Sequence, residues 1–98
     1  MARNVFGILG SHAAVETGTP VDVSHLEDVS ILIGGTFVGT VNIEVSMDGT
    51  NWVALTGALG GATAPVVALV GLPVKEIRTD VTAYTSGAIE VLFAGVDR

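Results

Sequence analysis

Residues 39–55 read GTVNIEVSMDGTNWVAL, and the reading of this stretch decides the fold. Val41, Ile43, Val45 and Met47 alternate with Asn42, Glu44 and Ser46, the period of two that gives a strand one buried face and one wet face. Asp48-Gly49 then turns the chain: glycine accepts the positive φ of short hairpin turns, and Asp or Asn side chains hydrogen-bond nearby backbone N–H groups. Trp52 restarts the apolar pattern. The stretch is therefore a hairpin. Trp52 is expected to anchor the core beside the turn, since a buried indole gives a small core a large apolar area.

Upstream, Val29, Ile31 and Ile33 share one face of residues 27–33 while Asp28, Ser30 and Leu32 share the other, the pattern of a core strand. Gly34-Gly35 break it before Thr36-Phe37-Val38 lead into the hairpin. Val21 and Val23 form a short strand after Thr17-Gly18-Thr19-Pro20, and the proline suits an edge. Residues 1–14 hold Val5, Phe6, Ile8 and Leu9 with no helical stripe. They are either an extended arm that crosses onto a neighbouring subunit or an ordinary first strand of the domain formed by residues 15–98.

Downstream, TGALGGATAPVVALVGLPV at 56–74 is low in complexity and carries no charge. A short strand is expected at Val66–Val70. A loop exposed between strands is ordinarily solvated, so this neutral segment either folds back over the end of the domain or packs on a partner. In KEIRTDVTAY, Ile77, Thr79, Val81 and Ala83 oppose Arg78, Asp80, Thr82 and Tyr84. After the Thr85-Ser86-Gly87 turn, Ile89, Val91 and Phe93 oppose Glu90, Leu92 and Ala94, which leaves the outer side of the last strand partly apolar. Six to eight short strands with close turn signals and no helix predict an all-β chain, a jelly-roll-like antiparallel β-sandwich.

At 98 residues the chain has room for one modest core. Charged residues make up only 14%, against about 25% in an ordinary globular domain. Uncharged surface must therefore remain outside, which favours an oligomer or a docked partner. Ten acidic residues face four scattered basic ones, Arg3, Lys75, Arg78 and Arg98. With no basic cluster to neutralise phosphates, neither nucleic acid nor an anionic membrane is an expected partner. The apolar run at Phe6–Leu9 is short and broken by Gly7, so no signal peptide is expected. The uncharged stretch from Gly49 to Val74 is interrupted by Pro65, Pro73 and glycines, which argues against a spanning helix.

The absence of cysteine removes disulfides, thiol nucleophiles and thiolate zinc sites together. Ser11 and His12 are adjacent, yet neighbours on a strand point to opposite faces, so contiguity counts against a nucleophile–base pair. His12 with Glu16, or Asp22 with His25 and Asp28, supply donor atoms without the spacing of a zinc or calcium motif. Asp48-Gly49-Thr50-Asn51 is explained by turn chemistry. No enzyme activity, cofactor or metal is expected.

Two segments carry a resemblance: Gly39-Thr40-Val41-x-Ile43-x-Val45-Ser46-x-Asp48-Gly49-x-x-Trp52, and Ile77-Arg78-x-x-Val81-Thr82-Ala83-Tyr84-Thr85-Ser86-Gly87-Ala88-Ile89. Together with the short length and neutral surface, they resemble the small structural proteins of tailed bacteriophages that decorate or cement capsids. The resemblance implies a β-sandwich, often a homotrimer, seated on the capsid exterior where subunits of the major capsid protein meet, acting there by adhesion. It implies no shared catalytic residue. Val5, Phe6, Ile8 and Leu9 in the first segment, and Leu59, Val66, Val67 and Leu69 in the neutral one, are the candidate protein contacts. The Ser46-x-Asp48-Gly49-x-x-Trp52 hairpin also resembles that of discoidin-like and other carbohydrate-binding sandwiches. The alternative function is therefore a sugar-binding module of a phage tail or a secreted enzyme, with Trp52 as its stacking ring.

Overall fold

The computed structural model describes residues 3–56, 60–61, 66–69 (backbone only) and 74–97. Among these residues the chain forms eight strands: β1 (Arg3–His12), β2 (Val21–Asp22), β3 (Leu26–Gly34), β4 (Phe37–Ser46), β5 (Trp52–Ala54), β6 (Val66–Leu69), β7 (Glu76–Gly87) and β8 (Ile89–Asp97). They build two four-stranded antiparallel sheets, sheet I in the order β1-β8-β3-β6 and sheet II in the order β2-β7-β4-β5.

The centre of both sheets is one long antiparallel ribbon. In sheet I, β3 pairs with β8 from Leu26↔Asp97 to Gly34↔Glu90. In sheet II, β4 pairs with β7 from Phe37↔Gly87 to Ser46↔Glu76. The ribbon folds between the sheets where Ala88 N–H donates to the Thr36 carbonyl at 2.9 Å. Gly35 and Gly87 adopt φ of +92° and +98° at this corner, a region that side chains with a Cβ rarely enter. A Cβ at Gly87 would also run into the Thr36 carbonyl oxygen. On either side the flanking strands repeat the same crossing, β1 then β2 along β8 and β7, and β5 then β6 along β4 and β3. This double Greek-key arrangement is the jelly roll, and the expected all-β antiparallel sandwich is borne out.

The core lies between the sheets. Ile31, Ile33, Ile89 and Val91 from sheet I meet Val41, Ile43, Ile77 and Val81 from sheet II, and all are 0–1% exposed. Apart from Leu9, every buried apolar side chain among the described residues is Val or Ile. Branching at Cβ suits a pleated surface and fills a thin layer without long side chains.

Bulges shift the predicted alternation at identifiable points. A register shift between Thr40 and Val41 leaves Thr82 unpaired, so Ala83 is exposed and Tyr84 packs against the core, the reverse of the expected phase. Another between Ile8 and Gly10 changes the phase of β1 after Leu9, so that His12 as well as Leu9 is buried and Ser11 is exposed. The predicted hairpin forms, with Ser46↔Trp52, Val45↔Val53 and Glu44↔Ala54 paired. Met47, expected on the inner face, is exposed because the strand ends at Ser46.

Trp52 is a correction to the sequence reading. Its register partner Ser46 has the parity opposite to the core residues Val41 and Ile43, which places the indole on the outer face of sheet II and outside the core.

Candidate docking face

The outer face of sheet I carries a continuous apolar surface. Register builds it in two rows across three strands: Phe6↔Ala94↔Ser30 and Ile8↔Leu92↔Leu32. Phe6 is 76% and Ile8 68% exposed, and Leu32 and Leu92 are more than a third exposed. A shallow groove of about 520 Å³ runs along these rows, and its lining holds no charged side chain. Water gains nothing from such a surface, and removing it from water is favourable at about 25 cal/mol per Å².

The structure divides the predicted contacts. Phe6 and Ile8 lie on this face. Val5 is half-buried, and Leu9 is 3% exposed within the core, so Leu9 is unavailable to a partner. Residues 3–12 pair with β8 from Arg3↔Asp97 to His12↔Ile89 as the edge of sheet I. Leu59 lies outside the described residues. The backbones of Val66, Val67 and Leu69 belong to β6, where Val67 pairs with Leu32 and Leu69 with Ser30. Sequence reasoning had Leu32, Leu92 and Ala94 as outward-pointing but missed them as contacts. The signal was the apolar outer side of the last strand, and its significance emerges only once β1 and β3 are known to flank β8.

The outer face of sheet II has a different chemistry. The Arg78 guanidinium carbon stands 4.1 Å from the Trp52 ring centroid, a cation–π arrangement. Arg78 Nε donates to Glu44 Oε1 at 2.7 Å, and register places Arg78 opposite Glu44. One face of the indole is therefore occupied by a guanidinium that a carboxylate holds in position.

Two polar sites considered in the sequence take definite form. After β1 the chain crosses to β7, where Val81 N–H donates to the Glu16 carbonyl at 2.8 Å. This brings Glu16 Oε1 to 2.7 Å from His12 Nδ1. On the other side of the ring, His12 Nε2 meets Thr79 Oγ1, a partner that no motif or spacing announces. The order hydroxyl, imidazole, carboxylate is that of a nucleophile, base and orienting group. Thr79, however, is 0% and His12 7% exposed, so hydroxyl and imidazole form a cross-link inside the sandwich, with the exposed Glu16 carboxylate at its rim. Ser11, on an exposed position of β1, is not part of it.

The Asp48 carboxylate accepts from the backbone N–H groups of Asn51 and Thr50, both at 2.8 Å, and from Asn51 Nδ2 at 2.6 Å. These donors, the Asn51 N–H first, hold its carboxyl well below the usual carboxylate range. The turn thus uses the groups that a calcium site would need. Asp22 is lowered in the same way by the Ser24 hydroxyl and N–H. Among the described residues no group of three or more His, Cys, Asp or Glu is placed to hold a metal ion.

No protein-family model and no curated protein sequence matches the chain. Among solved structures, the chain is similar to the SPBc2 prophage-derived protein YomS, with a TM-score of 0.72 over 98% of this chain and 95% of that one, at 15% sequence identity. At that identity the likeness is one of fold, and it places this jelly roll beside a protein of prophage origin.

Proposed function

We propose that the chain is a structural component of a bacteriophage virion, a decoration or cement protein that seats the outer face of sheet I on the exterior of the assembled shell, across boundaries between major-capsid subunits. The observation that carries this reading is the charge-free apolar surface formed by Phe6, Ile8, Leu32, Leu92 and Ala94 on one sheet of a small, acidic domain. The mechanism is linkage. A protein that binds only the assembled shell draws the equilibrium toward that state, and many symmetric copies multiply a modest affinity at each site. The prophage origin of a protein with the same fold supports the setting.

The test is co-sedimentation of the purified protein with immature and expanded shells of the phage that encodes it. Expanded shells should retain the wild-type protein and immature ones should not. Leu92→Glu, at the centre of the face, should lose retention with its melting temperature unchanged. Retention unaffected by Leu92→Glu would exclude this face.

A second reading has one specific observation in its favour. Trp52 lies on the outer face of sheet II, partly exposed, and not in the core. Binding to phage or host glycans that is abolished by Trp52→Ala would favour a carbohydrate-binding module of a tail or secreted enzyme.

A further inference from the structure

Among the described residues the sandwich has four edge strands, and three of them are short: β2 has two residues, β5 three and β6 four. β1 has ten. Among the described residues, no backbone hydrogen bond reaches β1 from the side opposite β8. A strand edge is a row of N–H and C=O groups that can template another strand, and proteins guard such edges with short strands, prolines or charges. Residues 4–11 of β1 contain neither a proline nor an Asp, Glu, Lys or Arg. The one basic residue of the strand, Arg3, leans back on its own sheet toward Asp97 at 3.4 Å.

We infer that β1 pairs with β1 of a second copy of this chain, antiparallel about a two-fold axis through Phe6, so that the two copies of sheet I become one continuous sheet. The strand itself selects a copy as occupant. The bulge after Ile8 confines regular pairing to the segment before it, and residues placed opposite each other must share a face. Centring on Phe6 satisfies both. Asn4 then faces Ile8 of the copy, Val5 faces Gly7, and Phe6 faces Phe6, an aromatic pair on the axis. Gly7 adds to the fit. The Phe93 ring already fills the space that a Cβ at Gly7 would need, so the strand is supported from beneath while its outer side stays open.

Charge points the same way. In a chain of net charge −6, two copies approach most easily along a segment that carries none. The contact is isologous and closes as a dimer, whereas the family resemblance implies a trimer. It stands on the edge strand and does not depend on docking to a shell, although joining the sheets would also double the apolar face.

Sedimentation equilibrium of the purified chain tests the inference, with Phe6→Glu and Phe6→Lys as variants. Phe6 is 76% exposed, so both should keep the wild-type melting temperature and circular dichroism. Edge pairing buries less than a standard interface, and a wild-type dimer with a Kd on the order of 10–100 µM is expected. Each variant alone places like charges on the axis and should weaken the dimer at least about tenfold. An equimolar mixture of the two should restore it, because a carboxylate from one variant then meets an ammonium from the other on the axis. A wild-type chain that stays monomeric at millimolar concentration, association unchanged in Phe6→Glu, or a mixture that fails to associate would each overturn the pairing.

Discussion

His12 Nε2 stands 2.5 Å from Thr79 Oγ1, and this contact joins the edge strand β1 of one sheet to the central strand β7 of the other. Because a carboxylate can only accept, Nδ1–H donates to Glu16, and the threonine hydroxyl is the partner of Nε2 on the other side of the ring. The sandwich is thereby pinned at the point where β1 leaves sheet I.

Thr79→Val keeps the shape of the side chain and removes the hydroxyl, leaving a buried imidazole nitrogen without its partner. Urea unfolding should show a loss of about 1–3 kcal/mol, the cost of an unsatisfied buried polar group. The double variant His12→Leu/Thr79→Val, which removes both polar atoms, should lose less than the sum of the two single variants. Additive losses would mean that the two side chains act independently.

Trp52 is the only tryptophan, so its fluorescence reports on the outer face of sheet II alone. Arg78→Ala uncovers one face of the indole. The emission should shift to longer wavelength and acrylamide quenching should rise, with a stability loss of about 0.5–1 kcal/mol, as for a partly exposed cation–π contact. Trp52→Ala should likewise cost less than Ile43→Ala, for which a core truncation of about 2–5 kcal/mol applies. The reverse order would return the indole to the core.

The Asp48 turn makes stability depend on acidity in a defined direction. Its carboxyl is held below the usual range in the folded chain, first by the Asn51 N–H, whereas the unfolded chain titrates near the ordinary value of about 3.9. The stabilisation is therefore complete above that value and is lost as the pH falls below it. Asp48→Asn retains an acceptor oxygen and removes the charge. Melting temperatures measured between pH 7 and pH 2 should fall less steeply for Asp48→Asn than for the wild type; parallel curves would remove Asp48 as a source of the slope.

Where the chain alternates strictly, the sequence is enough to place its residues. Ile31, Ile33, Ile77, Val81, Ile89 and Val91 are all buried on the face that their spacing predicts. Phase is lost wherever an extra residue enters a strand. Tyr84 and Ala83 exchange sides because Thr82 is bulged, and nothing in KEIRTDVTAY marks that position. Trp52 turns outward because five residues separate it from Ser46, and parity across a hairpin depends on loop length, which composition does not specify. The apolar face was hidden for a related reason. Phe6, Leu92 and Leu32 are ordinary residues on their own strands and become one surface only when β8 lies between β1 and β3. The contact between His12 and Thr79 spans 67 positions and belongs entirely to the tertiary fold.

The folded ribbon also governs time. Leu26 must find Asp97, and Phe37 must find Gly87, before either pair is rewarded by the strands between them. Chains dominated by such distant pairings collect their loop-closure cost early and fold in milliseconds to seconds, not microseconds. Because the ribbon continues through both sheets and each arm is flanked by a further strand, neither sheet can open from its middle without disturbing the other. Slow opening is the counterpart of slow closure, so the lifetime of the folded chain is set by the ribbon as a whole.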